Sequence, residues 1–192
     1  MAMLRAPVTA RDHILGSEDA PVVLVEYGDY QCPYCALAQP VVRQLLDQAG
    51  PDLALVFRHF PLSEVHPMAD TAAQAAEFAG AHGVFWPMHE ALFANQSRLS
   101  PSMIFALVGA LGLSQASLQR ALALGTYAQK VREDFVGGAR SGVNGTPCFF
   151  VNGVRHDGAY TFGALAAAIS TARRQAMTAN QAARQGDATS RL

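Results

Sequence analysis

Cys32-Pro33-Tyr34-Cys35 follows the apolar run Val22-Val23-Leu24-Val25 and precedes a stretch with helical spacing, and this placement constrains the fold more than any other feature of the chain. Two cysteines separated by two residues are ambiguous alone. At a strand-to-helix junction, however, the first sulfur lies against the unpaired N–H groups of the helix start and the second lies one turn further in. Cys32 reads as the helix-capping residue, Pro33 as the first helical residue, where its missing N–H costs nothing, and Cys35 follows on the same face. The two sulfurs can then meet. The partial positive charge of the helix N-terminus favours thiolate at Cys32, which therefore reads as the solvent-facing attacking and leaving group of thiol–disulfide exchange. Cys35, covered by the first turn, reads as the resolving thiol. The competing reading is half of a zinc site, which needs a second pair of ligands. Cys148 is the only cysteine left and has no CxxC or HxxxH partner, so redox chemistry is favoured and no metal or organic cofactor is expected.

Periodicity orders the rest. Residues 22–27 and 53–60 read as buried strands, joined by a helix over 32–49 that ends at Gly50-Pro51. From Pro61 to about Gly142 the pattern is helical throughout, with helices expected over 69–82, 86–95, 102–111, 114–124 and 126–139 between Gly and Pro breaks. Strand character returns at 148–151, turns at Asn152-Gly153 and continues over 154–156, a hairpin whose turn needs positive φ at both positions. A last helix is expected over 161–176, followed by a frayed tail over 177–192.

Two motifs carry a resemblance. The stretch from Val22 through Glu26-Tyr27-Gly28-Asp29-Tyr30-Gln31 to Cys35, and the downstream Gly142-Val143-Asn144-Gly145-Thr146-Pro147-Cys148-Phe149-Phe150-Val151-Asn152-Gly153, together resemble the DsbA-like thiol:disulfide oxidoreductases of the thioredoxin superfamily. The resemblance extends from about Asp12 to Arg173. It implies an α/β, thioredoxin-like fold in which residues 12–61 and 142–176 form a discontinuous domain and 62–141 an all-helical insertion that shapes a substrate groove. It also implies a mixed disulfide on Cys32 resolved by Cys35, with Pro33 and Tyr34 beside the bound substrate. The expected partners are protein thiols or disulfides and a redox partner of thioredoxin, glutathione or DsbB type.

Glu26 shares a strand face with Val22 and Leu24 under two-residue alternation and is expected to be buried, which raises a carboxyl pKa. It stands six residues before Cys32, where DsbA-like proteins carry an acid that exchanges a proton with the second cysteine. For Arg58, on the second strand, two readings stand side by side: charge partner of Glu26, or an arginine facing solvent, which is favoured at least as much. An X-Pro bond is cis in only about 5–6% of folded cases, so the residues alone favour trans at Pro147. The resemblance implies cis, with the Thr146 backbone pairing an extended substrate segment by strand addition. Cys148 reads as a buried small hydrophobe. His66 and His89 read as packed or surface imidazoles rather than ligands, since Trp86-Pro87-Met88-His89-Glu90 lacks the second His of HExxH. Phe85, Trp86, Phe93 and Phe105 read as core.

Composition narrows the class. The 192 residues are 51% hydrophobic and 15% charged with net charge −1, enough for one good core and without a basic block that would suit nucleic acid. No apolar run approaches the length that spans a membrane. Met1-Ala2-Met3-Leu4-Arg5-Ala6-Pro7 has no signal-peptide core, so the chain as written is expected in the cytoplasm as a monomer. A periplasmic protein whose leader had been removed, or a domain cut from a fusion, would read the same. Two other functions stay open: a zinc- or copper-binding module built on Cys32, Cys35 and Cys148 or a His, and a chaperone-like peptide-binding domain with a vestigial CxxC.

Overall fold

A strand whose two faces are both apolar has to lie inside a sheet, and Val22–Gly28 does. The computed structural model describes residues 2–189, with side chains described through residue 179 and at Gln181. Its sheet consists of β1 (His13–Leu15), β2 (Val22–Gly28), β3 (Leu53–His59), β4 (Cys148–Val151) and β5 (Val154–Arg155), in the order β1-β3-β2-β4-β5. β2 and β3 are parallel, and the other pairs are antiparallel. The crossover from β2 to β3 is α1 (Pro33–Ala49), which starts with Pro33 in its first turn and ends at Gly50 with φ 54°. Positive φ suits glycine at a helix end.

Alternation along β2 sorts the two layers. Val22 and Leu24 join Leu53, Leu55, Phe149 and Val151 on one face, packed under Ala38, Val42 and Leu45 of α1 and Leu165 and Ile169 of α7 (Phe162–Thr189). Val25 and Tyr27 join Val56, Cys148 and Phe150 on the other. That second face is covered by α6 (Ala128–Arg140), which comes close because Gly138 has no side chain: a Cβ there would stand 2.8 Å from the Phe60 ring and 2.9 Å from that of Tyr27.

Between β3 and α6 lies the helical insertion, α2 (Ala69–Gly80), α3 (Phe85–Ala94), α4 (Pro101–Ala110) and α5 (Gln115–Ala123). Alanines at 72, 75, 76 and 79 let α2 pack closely against Phe85, Met88, Leu92, Ile104 and Leu118. Ser100 and Ser114 cap α4 and α5, their hydroxyls accepting from the N–H groups of Met103 and Ser117 at 3.2 Å. Capping of this kind is worth about 1 kcal/mol per helix.

The expected α/β architecture with its helical insertion is therefore present, and four details depart from the sequence reading. β1 was not anticipated, being three residues long. The expected tail from residue 177 is helical as far as Thr189, in keeping with a stretch rich in the strong helix formers Ala, Gln and Arg, and residues 190–192 lie outside the described residues. Chain ahead of β1 adds to the sheet edge: the Leu4 N–H donates to Gly153 O at 2.8 Å and that of Arg155 to Ala2 O at 3.0 Å.

The fourth departure concerns Arg58, which neither pairs with Glu26 nor faces solvent. In the parallel register Glu26 stands opposite Phe57 and Arg58 opposite Tyr27, so the two side chains project from opposite faces. Arg58 is buried and grips the N-terminal segment. Its Nε and Nη2 donate to the Asp12 carboxylate at 2.8 and 2.9 Å, and it also donates to Ala6 O, Pro7 O and the Tyr27 hydroxyl.

The Asn152-Gly153 turn has φ 46° and 79°, the paired positive values of a tight hairpin. Asn152 also ties the hairpin to the central strand, accepting from Val23 N at 2.7 Å and donating to Pro21 O at 3.0 Å.

Candidate redox site

Cys32 occupies the N-cap of α1 with φ −70° and ψ 118°. Its carbonyl accepts from the N–H groups of Cys35 and Ala36 at 3.0 and 3.3 Å, so the first turn winds directly around it. The thiol points away from the helix and donates to Thr146 O at 3.3 Å, across a Thr146–Pro147 peptide bond that is cis. That loop covers the sulfur, so Cys32, expected to face solvent, is instead buried at 3% exposure. Tyr34 and Leu37, 60% and 63% exposed, are the large hydrophobic residues that α1 presents to solvent.

The two thiols are pushed in opposite directions. Cys32 is lowered to about 5, first by the hydrogen bond it receives from the Cys35 thiol; burial opposes, and the Thr146 side chain and the N–H groups of Cys35 and Tyr34 add to the lowering. Donors aimed at a sulfur favour its charged form. Cys35, fully buried, is raised far above an ordinary thiol, first by burial, then by its role as donor to Cys32 and by the nearby Glu26 charge. Asp29 N–H donates to its sulfur at 3.4 Å. Thr146 Oγ1 is buried without a partner. It can donate to Cys32 once the sulfur has lost its proton, because a thiolate only accepts.

Glu26 is fully buried on the central strand. Burial raises its carboxyl to about 8, against the opposing hydrogen bond from Gln39. Gln39 Nε2 donates to Oε1 at 3.4 Å, whereas Oε2 has no partner.

Two further residues, Asp29 and Gln96, hold the cysteine loop. Asp29 accepts from Gln31 N at 2.7 Å through one oxygen, and through the other from Leu62 N at 2.9 Å, with His66 Nδ1 at 2.8 Å. Gln96, in the short turn Gln96–Arg98 after α3, donates through Nε2 to Tyr30 O at 3.0 Å and Cys32 O at 2.8 Å, linking the insertion to the motif. Sequence reasoning passed over all three polar residues, Gln39, Asp29 and Gln96. Gln39 had a signal, standing four residues after Cys35 on the same helix face. Asp29 had another, since an Asp two residues before a turn amide closes an Asx turn. Gln96 had none.

His89 is buried in the insertion. Among the described residues the group close enough to share an ion is His59, Glu77 and Asp134, which includes no cysteine, and Lys130 Nζ already sits 2.6 Å from Asp134 Oδ1.

Cys148 is 6% exposed and pairs across the sheet with Tyr27, on the face opposite Glu26. Burial raises its thiol. Oxidised protein with Cys32 and Cys35 bridged is therefore expected to show almost no thiol reactive with a maleimide while folded and one after denaturation. Rapid labelling of Cys148 in the folded oxidised protein would contradict this.

Comparison with known proteins places this geometry. A family model described as Thioredoxin matches residues 9–171. Over 162 residues the chain is 46% identical to the Na(+)/H(+) antiporter NhaA 1 of Salinispora arenicola, covering 84% of this chain and 25% of that protein. It is 42% identical over 177 residues to the Na(+)/H(+) antiporter NhaA 3 of Salinispora tropica, covering 92% and 27%. The chain thus spans about a quarter of the length of these relatives. Among solved structures it is similar to oxidised BdbD from Bacillus subtilis, with TM-score 0.80, 23% identity and coverage of 90% of this chain and 98% of that one. A thioredoxin-like oxidoreductase from Silicibacter pomeroyi gives 0.75 at 29% identity, with coverage of 86% and 94%. Alpha-DsbA1 of Wolbachia pipientis gives 0.78 at 19%, with 91% and 96%. Matched over residues 9–171 by the family model, the chain belongs to the thioredoxin family, with a fold similar to those of BdbD and alpha-DsbA1.

Proposed function

We propose that this protein is a thiol–disulfide oxidoreductase that exchanges disulfides with protein or small-thiol substrates through Cys32 and Cys35. The observation that carries the reading is the placement of two thiols within one helical turn, Cys32 at the N-cap of α1 against Thr146 O and Cys35 fully buried behind it, an arrangement that lowers Cys32 to about 5 and raises Cys35. A thiolate that is stable at neutral pH attacks readily and leaves readily, while its neighbour stays protonated until needed.

In the reducing direction the Cys32 thiolate attacks a substrate disulfide, forming a mixed disulfide and expelling one substrate sulfur. The ionised fraction of Glu26, which grows as pH rises toward about 8, takes the Cys35 proton. The Cys35 thiolate then attacks Cys32 Sγ, releases the second substrate sulfur and closes the Cys32–Cys35 disulfide, so that two electrons have passed to the substrate. The oxidising direction runs these steps backwards. Thr146 and the cis Pro147 supply the backbone edge on which an extended substrate segment pairs, with Pro33 and Tyr34 on its other side. The site's donors to Cys32 stabilise the reduced form, which favours service as an oxidant of protein thiols with a redox partner of thioredoxin, glutathione or DsbB type.

The antiporter name of the Salinispora relatives is not carried over to this chain. No helix among the described residues is long and apolar enough to cross a membrane, and the matched stretch is a quarter of those proteins.

The test is the asymmetry between the two sulfurs. Cys35→Ser is expected to accumulate mixed disulfides with a reporter such as insulin, and its remaining thiol to react with iodoacetamide with a midpoint well below the free-cysteine value of about 8.5. Cys32→Ser is expected to trap little. Equal trapping by both variants, with an unshifted titration, would overturn the reading in favour of a metal-binding module, which metal analysis of the reduced protein would then detect.

A further inference from the structure

Glu26 stands at the end of a line of hydrogen bonds that begins at Tyr30, beside the cysteine motif, and passes through His89 of the helical insertion. Tyr30 Oη lies 3.2 Å from His89 Nδ1, His89 Nε2 lies 3.1 Å from Gln39 Oε1, and Gln39 Nε2 lies 3.4 Å from Glu26 Oε1. The chemistry of the groups sets the direction of every link. An amide nitrogen only donates, so Glu26 Oε1 accepts whether the carboxyl is charged or neutral. An amide oxygen only accepts, so His89 must carry its hydrogen on Nε2. His89 is neutral, held down to about 3 chiefly by burial, and Nδ1 therefore presents a lone pair to which the Tyr30 hydroxyl donates. Tyr30 is itself fixed by rings, with Phe57 at 5.4 Å and Phe93 at 4.9 Å between centroids.

All three donors point toward Glu26. Oε1 is thus committed as an acceptor, and Oε2, buried and unpartnered, is the oxygen left to carry a proton. A groove of about 420 Å³ between α1 and α3, lined by Arg43, Leu46 and Trp86 among others, reaches Gln39 and His89 from outside.

We propose that Gln39 and His89 are positioning residues for the Glu26 carboxyl, holding Oε1 as a permanent acceptor so that the proton exchanged with Cys35 is carried on Oε2. This rests on the reading of Glu26 as the proton acceptor of Cys35. The step is a transfer of one proton: the Cys35 S–H bond breaks, the Glu26 Oε2–H bond forms, and the electron pair left on sulfur attacks Cys32 Sγ. The ionisable groups whose charges reach this line are Cys35 and Arg43 on α1, Glu77 on α2, His59 on β3 and His13 on β1. None of them hydrogen-bonds either oxygen of Glu26.

The experiment follows the Glu26 carboxyl directly, by its infrared C=O band in full-length reduced protein as pH is raised. Loss of the donor to Oε1 disfavours the charged form, so Gln39→Leu is expected to move the midpoint upward by about one pH unit. His89→Phe is expected to move it in the same direction by less, because Gln39 remains but is no longer held. Gln39 is partly exposed, so Gln39→Leu stays informative even where His89→Phe does not fold. A folded Gln39→Leu protein with the wild-type midpoint would overturn the positioning role. The underlying reading is tested separately by Glu26→Gln: if that variant resolves a preformed mixed disulfide on Cys32 with the wild-type pH profile, Glu26 is not the proton acceptor, whatever the infrared titration of Gln39→Leu shows.

Discussion

Glu26→Gln is expected to make the reduced protein more stable, by about 3 kcal/mol at pH 7 and by almost nothing at pH 4. The folded protein holds the Glu26 carboxyl protonated up to about pH 8, against an ordinary value of 4.5, because the group is buried. Between those two values the unfolded chain gives up the proton while the folded chain keeps it, so the native state loses stability steadily as pH rises through the window. Glutamine has the shape of the protonated acid and no charge to bury, so it removes the penalty. Below pH 4.5 both states carry the proton and the two proteins are matched. Urea denaturation of the reduced proteins at the two pH values measures the difference. A variant no more stabilising at pH 7 than at pH 4 would mean that Glu26 ionises at an ordinary pH in the folded protein. Under the proposed function the stabilised variant resolves mixed disulfides slowly, having lost the group that receives the Cys35 proton.

Arg58→Leu is expected to destabilise by about 3–5 kcal/mol, the usual cost of stripping one partner from a buried ion pair. Asp12 and Arg58 have side chains only 4% exposed, so the carboxylate left behind loses its paired cation and keeps only the N–H and hydroxyl donors of Thr9, with Lys130 acting on it from further away. The carbonyls of Ala6 and Pro7 lose their donors at the same time. The double variant Asp12→Leu with Arg58→Leu is expected to recover part of the loss, since it removes the stranded charge but leaves those carbonyls unpaired. Chemical denaturation of the wild type and the three variants gives the cycle. A loss below about 1 kcal/mol for Arg58→Leu would show that the N-terminal segment detaches and exposes Asp12 at little cost.

These two residues also show what could be read from the sequence. Glu26 was legible because Val22 through Val25 are apolar on both faces of β2, so whichever face it took was a buried one. Arg58 follows a run that is likewise apolar at every position, Leu53 through Phe57, but a guanidinium is buried only with partners, and the sequence did not show them. Its partner, 46 residues away, lies just before a strand too short to leave a pattern. The motif at the start of α1 and the Asn152-Gly153 turn are local in origin: capping and positive φ depend on neighbours in the chain. The contacts of Gln96 and His89 span 64 and 50 residues and depend on how the insertion folds back on the motif, which no local spacing encodes. The extension of the last helix was a matter of propensity, outweighed in the sequence reading by its polar composition.

The edges of the sheet bear on turnover. A protein that trades disulfides with incompletely folded chains meets extended backbone at every encounter, and an open strand edge would take such a chain up by pairing and hold it. Here the outermost strands are the shortest, three residues in β1 and two in β5, and β5 is covered by the protein's own Ala2 and Leu4 backbone. Under the proposed function, client chains would thereby be turned away from the flanks. What remains for them is the short stretch at Thr146, long enough to align one segment with Cys32 and too short to retain it after the sulfur bond has moved on, so release is built into the same architecture that permits capture.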